Sequence, residues 1–364
     1  MAFGLIFATS LIAIMALVIL ISKIDYKKSK SISLVIIFSF LFIFFHFLIS
    51  HFFVSLPQDS SRFIIGFLGF LFILLISSIV GFSLQNLNYG AMQKILQLLI
   101  FLITINALLS ISGINFFGVT GLKPTFLFTE PSHLAIVAAP FVIYSSYTRS
   151  RGWLFVLLIF LFWAMVVQNA TGMLVILVAL LLRLKVLSLI IVLSLIIILL
   201  DSFSEIEYFT SRFLFSPDTT NLSALVLMNG WESALLTLND TNGWGVGFGQ
   251  FGIASSQGEI QTKLSAVGAG DLNLLDGGSL GAKLVGEFGL FGVAFIFYFC
   301  IRAFRSFCSL RSDVNQLSVV TFGRCVNVGF MVELFFRGVG YFSPGVFIYL
   351  MIFFYMYQKN KTKQ

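Results

Sequence analysis

The sequence predicts an all-α polytopic integral membrane protein, and three observations carry that prediction. Of 364 residues, 59% are hydrophobic and only 10% are charged, against about 25% charged in soluble domains. The apolar residues gather into runs near the roughly 20 residues that a helix needs to cross a bilayer. Backbone polar groups in lipid must be satisfied within the segment, which makes these runs helices. Phe supplies 45 positions and Pro only 6, and mean hydropathy is +1.02. A soluble globular protein, a disordered chain and a collagen-like fibre are excluded.

Taken in order, eleven apolar segments read as spans: 1–22, 31–53, 63–84, 95–113, 132–147, 152–168, 170–182, 186–200, 280–301, 317–336 and 342–357. Segment 1–22 has no basic residue before it and no small-residue cleavage site, so it reads as a span and not a signal peptide. Gln168-Asn169-Ala170-Thr171-Gly172 is the only break in the apolar stretch of the sixth and seventh segments, and a single tilted helix competes with a hairpin there. Charge decides for the hairpin. With eleven spans and the N-terminus outside, 15 of 22 basic residues fall in cytoplasmic loops, among them Lys23, Lys27, Lys28, Arg149, Arg151, Arg183 and Lys185. That is the positive-inside asymmetry. Merging the two segments would put Arg183 and Lys185 outside and reverse every earlier loop. The expected organisation is one membrane domain: an eight-helix bundle over 1–200, a large, partly helical periplasmic loop over 201–279, and a three-helix segment over 280–364.

The formal charge of +7 is in this setting first a topology signal, and no nucleic-acid partner is expected. The longest cytoplasmic loop, 302–316, is too short for a nucleotide-binding domain, and no Walker or dinucleotide fingerprint lies on that side. ATP-driven transport, kinase chemistry and nucleotide-sugar donors are therefore not expected. Cys300, Cys308 and Cys325 lie in or beside apolar runs, and His46, His51 and His133 lack metal-ligand spacing, so neither a disulfide framework nor a zinc site is indicated.

The chemistry-bearing residues collect on the outer side. Leu222, Leu225, Met228, Trp231, Leu235 and Leu238 recur at spacings of three and four and predict a helix over 222–238. The run Gly243-Trp244-Gly245-Val246-Gly247-Phe248-Gly249-Gln250 allows a tight turn whose backbone amides can cradle an anion; a turn packed on neighbouring helices is the alternative. Lys283 and Glu287, and Glu333 and Arg337, are four apart, so each pair shares a helix face. Charge in lipid is costly and usually faces a cavity or a partner, so each pair is either functional or an intrahelical ion pair. Arg324 lies nearer the cytoplasmic end and can snorkel. Phe128-Thr129-Glu130-Pro131-Ser132-His133 opens the fifth span. Thr129 or Ser132 suits a helix cap and Pro131 a first helical position, but capping explains neither Glu130 nor His133.

These stretches together resemble the Wzy-type O-antigen polymerases and, more distantly, the O-antigen ligases. The resemblance rests on 128–133, on Ser211-Arg212-Phe213 followed by Gly230-Trp231-Glu232, on 243–250, on 279–289 and on 336–342. Many relatives carry a Ser-Arg-Ser/Thr-Gly-like turn where this chain has Asn169-Ala170-Thr171-Gly172, with Ala170 in place of the Arg. The resemblance implies an inner-membrane glycosyltransferase in lipopolysaccharide biosynthesis. Such an enzyme transfers a growing oligosaccharide from undecaprenyl diphosphate to the next lipid-linked repeat at the periplasmic face. A chain-length regulator and a flippase of the same pathway are the implied partners, besides membrane lipids.

That reaction sets requirements. A departing diphosphate needs cations to stabilise its charge. No D-x-D-type metal motif occurs, so no metal or other cofactor is expected, and Arg212 and Arg337, then Lys283, are the candidates. The acceptor hydroxyl needs a base, for which Glu130 and His133 are candidates, with Glu333 as orienter or alternative. Trp231, Trp244, Phe248 and Tyr341 offer stacking faces for sugars, or serve as interface anchors. Glu232, Gly245, Gly247, Gly249, Gln250 and Glu287 complete the expected binding surface. The competing classes are a lipid-linked oligosaccharide flippase, a scaffold of an export complex, and a ligase. No internal repeat, a common transporter feature, is seen. Ligase and polymerase share their chemistry and are not separated by sequence.

Overall fold

A computed structural model describes residues 30–54, 57–87, 89–114, 123, 125–148, 152–185, 188, 190, 194, 219–312 and 319–361. The expected first span, nearly all of the eighth, and Arg212 lie outside the described residues. The described chain is helical and contains no strand. Its helices are α1 Lys30–Phe53, α2 Ser60–Ser83, α3 Tyr89–Ile111, α4 Pro131–Thr148, α5 Trp153–Val166, α6 Ala170–Arg183, α7 Leu222–Asp240, α8 Glu259–Ala266, α9 Leu280–Phe288, α10 Leu290–Ser312, α11 Val319–Phe335 and α12 Pro344–Lys361.

Among the described residues, four helices are long and apolar enough to cross a membrane: Leu34–Phe52, Ser60–Ser83, Tyr89–Ile111 and Leu290–Ser312. Shorter apolar helices occupy Trp153–Val166, Ala170–Arg183 and Pro344–Gln358. Their surfaces carry Phe38, Phe52, Ile65, Leu68, Phe155 and Phe297 exposed, as expected of side chains solvated by lipid. Two differences from the expected segments concern α9 and α10. The segment expected as one span over 280–301 is two helices, because Gly289 adopts φ +58° and breaks the run. A Cβ at Gly289 would lie 1.9 Å from the Gly243 carbonyl oxygen, so only glycine admits this approach. Helix α10 then continues past the expected boundary to Ser312, since nothing in Arg302–Leu310 breaks a helix.

The chain divides into two compact units. The first comprises Met1–Asn88, Asn229–Phe297 and Gly338–Gln364, the second Tyr89–Met228 and Tyr298–Arg337.

In the first unit α2 packs along α12 and against α1. The contact is close because Gly81 lets the Met351 carbonyl approach to 2.4 Å of where a Cβ would sit. Small residues at helix contacts favour this packing in membranes. Leu74 and Phe354 lie at its buried centre. A separate core of Ala234, Phe251, Ala282 and Val285, flanked by Trp231, Leu238 and Ile296, joins α7, α9 and the start of α10. Every residue of α9 is buried.

In the second unit α4 is central and packs on α6 and α11. Pro140 stands inside α4, and Gly329 of α11 lies against its nitrogen. Helices α5 and α6 form the expected hairpin: α5 ends at Val166, and the Asn169 side chain caps α6 by accepting the Gly172 amide at 2.7 Å. A Cβ on Gly172 would press on Trp163, so the turn is closed tightly.

Candidate functional site

The segment before α4 is tied down at successive points, all within the second unit. Lys123 donates to the carbonyls of Val167 at 2.9 Å and Gln168 at 3.3 Å, and to the Gln168 side chain at 3.0 Å. It thereby holds carbonyls at the C-terminal end of α5. Asn106, buried in α3, reads the backbone in both directions. Its Nδ2 donates to the Thr125 carbonyl at 3.1 Å, and its Oδ1 accepts the Leu127 amide at 3.2 Å. Pro131 is the first residue of α4, as expected for proline at a helix start. Glu130 is thus delivered to the helix entrance on a fixed backbone.

Arg337 arrives there from the end of α11. The amides of Phe336 and Arg337 both donate to the Val332 carbonyl, which closes the helix. The Arg337 side chain then donates from Nη2 to Glu130 Oε2 at 2.5 Å and from Nε to Ser132 Oγ at 3.2 Å. Ser132 Oγ donates to the same Glu130 oxygen at 3.1 Å, and His133 Nε2 lies 3.9 Å from it. Thr129 Oγ1 holds the other ring nitrogen of His133 at 2.9 Å. One carboxylate oxygen is therefore the meeting point of an arginine, a serine and a histidine.

The Arg337 side chain is 14% exposed and that of Glu130 is 37% exposed, so the pair is partly desolvated yet open on one side. Burial pushes the Glu130 carboxyl up, but Arg337, His133 and the Ser132 hydroxyl outweigh it and hold it below the ordinary value. Glu130 is ionised at neutral pH. Glu333, one turn before Arg337, is fully buried in α11.

A second set of expected residues comes together within the first unit. Buried Lys283 donates to the Leu275 carbonyl at 2.5 Å and to Asp276 Oδ1 at 3.3 Å. It lies 3.8 Å from Glu287 and 5.4 Å from the centre of the Tyr341 ring. Glu287 accepts the Phe251 amide at 3.2 Å and faces the Gly249 amide and the Tyr341 hydroxyl. Burial and the neighbouring Glu287 carboxylate raise the Tyr341 phenol well above its ordinary value, so it stays protonated.

The glycine-rich run takes up the tight turn its composition predicts, with positive φ at Gly243, Gly245, Gly247 and Gly249. Its amides are used internally. Val246 and Gly247 donate to the carbonyls of Gly286 and Glu287, and Gly245 to the Thr241 hydroxyl at 2.8 Å. The group this turn cradles is the chain's own Glu287 carboxyl, which the Phe251 and Gly249 amides meet. Gln250 is fully buried and grips the backbone of Asp59.

The other expected binding residues make packing or capping contacts. Glu232 accepts the amides of Glu259 and Ile260 at 3.2 and 3.0 Å, which caps α8. Trp231 packs on the core of α7 and α9. Phe248 and Tyr341 stack on each other with centroids 4.9 Å apart and are buried. Trp244 keeps an exposed face, while its carbonyl accepts from His46 at 3.0 Å.

Sequence reasoning missed Asn106 and Lys123 as positioning residues. A lone Asn inside an apolar span was the available signal for the first. Among the described residues no group of three His, Cys, Asp or Glu side chains converges as a metal ligand set. Comparison with known proteins returns no matching family model, curated protein or solved structure.

Proposed function

We propose that the chain is a membrane glycosyltransferase that polymerises lipid-diphosphate-linked oligosaccharide repeats, as the O-antigen polymerases do. The observation that carries this reading is the convergence of Arg337, Ser132 and His133 on Glu130 at the entrance of α4. An ionised carboxylate and a guanidinium held together at a helix entrance with one side open are accessible to a ligand. The proposed setting is the bacterial inner membrane. Eleven spans, the N-terminus outside and the C-terminus inside, put residues 201–279 and the α4 entrance at the periplasmic face. The basic asymmetry of the loops supports that orientation.

The reaction is glycosyl transfer without a nucleotide. An acceptor hydroxyl on one lipid-linked repeat attacks the anomeric carbon of the donor glycan. The bond from that carbon to the phosphate oxygen breaks, and its electron pair leaves with the diphosphate. Glu130, or His133 held by Thr129, takes the hydroxyl proton. Arg337 stabilises the charge that develops on the leaving diphosphate. Arg212 is proposed as a second cation for that group. Lys283, Glu287 and the glycine-rich turn support this reading as a scaffold, because their polar groups already bind one another.

The test is incubation of the purified full chain with a synthetic lipid-diphosphate-linked repeat. A ladder of oligomers supports the proposal. A ligase needs a second lipid acceptor and gives no ladder from the repeat alone.

A further inference from the structure

Arg337 already has an anion, and that anion is the residue proposed as base. Three features of the contact bear on what it does. Arg337 Nη2 meets a single oxygen of Glu130 at 2.5 Å, whereas a guanidinium matches two oxygens of a phosphate or carboxylate in its strongest geometry. The same Glu130 oxygen is shared with Ser132 and lies 3.9 Å from His133, so the carboxylate stays held by its own helix when the guanidinium turns away. The Glu130 side chain is the more exposed partner, at 37% against 14%, so it is the partner with room to move aside. Removing one partner of a desolvated ion pair leaves an uncompensated charge, but exchanging one anion for another does not.

We infer that Glu130 is the internal occupant of a diphosphate site on Arg337, so that a lipid diphosphate binds by displacing the carboxylate and frees it in the same event. The inference rests on the proposed role of Arg337 as the diphosphate contact. It adds a coupling: the base is tied up until the leaving group is in place. The order also guards the donor, because water at an empty site meets a carboxylate engaged by arginine. Ser132 bridges the two groups, since it contacts Arg337 Nε and Glu130 Oε2.

A site that its own carboxylate leaves open about one-tenth of the time binds ligand about tenfold more weakly than an open one. The experiment measures binding of farnesyl diphosphate to the full chain in lipid nanodiscs, in wild type, Glu130→Gln, Glu130→Asp, Arg337→Gln and the Glu130→Gln/Arg337→Gln double variant. Each protein is first checked for monodispersity and thermal unfolding. Glu130→Gln is expected to bind about tenfold more tightly than wild type, and Glu130→Asp, with its shorter reach, by a smaller factor. Arg337→Gln and the double variant are expected to bind weakly and alike. Unchanged or weaker binding in Glu130→Gln, with Arg337→Gln still weak, overturns the internal-occupant inference and leaves Arg337 as a diphosphate contact. Wild-type affinity in Arg337→Gln overturns the diphosphate role itself. Should Glu130→Gln fail to accumulate, unchanged affinity in Glu130→Asp overturns the inference by itself.

Discussion

Gln250 clasps the backbone of Asp59 at both ends of one residue, accepting its amide at 2.7 Å and donating to its carbonyl at 2.9 Å. The clasp ties the glycine-rich turn to the start of α2, which Asp59 itself caps. Gln250 is fully buried. Gln250→Ala is therefore expected to lower stability by about 2 kcal/mol, the scale of buried groups left without partners. Gln250→Glu sets a buried carboxylate against the Asp59 carbonyl oxygen and should cost at least as much. Thermal unfolding in detergent reads both. An unchanged midpoint with lost activity would instead make Gln250 a substrate contact.

The glycines of that turn are not equivalent. Gly245 has φ +79°, and a Cβ there would lie 2.5 Å from the Gly289 nitrogen and 2.6 Å from the Glu287 carbonyl oxygen. Gly249 has φ +76°, but a Cβ would meet nothing closer than the Arg62 carbonyl oxygen at 3.7 Å. Gly249→Ala bears only the left-handed backbone cost of roughly 1–2 kcal/mol. Gly245→Ala adds steric overlap with backbone and should exceed about 4 kcal/mol. Membrane abundance should then be near normal for the first and lost for the second. Equal abundance would contradict the packed turn.

Lys283 tests whether the buried charges of α9 are structural. Lys283→Met leaves Glu287 buried without its cation, which costs about 3–5 kcal/mol in a buried pair. Adding Glu287→Gln removes the orphaned charge and should restore much of the lost stability. A binding role alone predicts a stable Lys283→Met protein and no rescue by the second change.

The hairpin at Asn169 was legible because a polar break and the basic residues Arg183 and Lys185 both demanded it. The helix over 222–238 was legible from its periodicity, and the glycine turn from composition. Spacing along one helix paired Glu333 with Arg337. Arg337 also donates to Glu130, 207 residues away in sequence, a distance no local pattern can bridge. The break at Gly289 was hidden for the same reason, because its cause is the approach of Gly243 from another part of the chain. Glycine residues that fit an anion site and glycine residues that fit a neighbouring helix look alike in sequence. Only the partners of their amides tell them apart.

Acid sensitivity follows from two carboxylates outside the spans. The Ser61 hydroxyl and the Arg62 amide lower Asp59. Burial raises Glu130, but Arg337, His133 and Ser132 together bring it below its ordinary value. Groups whose native value is depressed contribute stability that is fully present above the unfolded value of about 4. That stability is lost as pH falls through the lower native value. The unfolding midpoint of wild type should therefore drop below about pH 4 more steeply than that of an Asp59→Asn/Glu130→Gln double variant. Parallel curves would show that neither group is linked to folding.

The proposed chemistry is tested most directly by one measurement: product chains formed from a synthetic lipid-diphosphate-linked repeat by purified wild type and Arg337→Ala, at matched monodispersity and without nucleotide. The expected result is a ladder from wild type and a loss of about 10²–10³ in rate for Arg337→Ala, the scale of removing one stabiliser of transition-state charge. Arg337→Lys should recover only part of it, since a point charge lacks the fork of the guanidinium. An undiminished ladder from folded Arg337→Ala, or no ladder from wild type, would contradict the account.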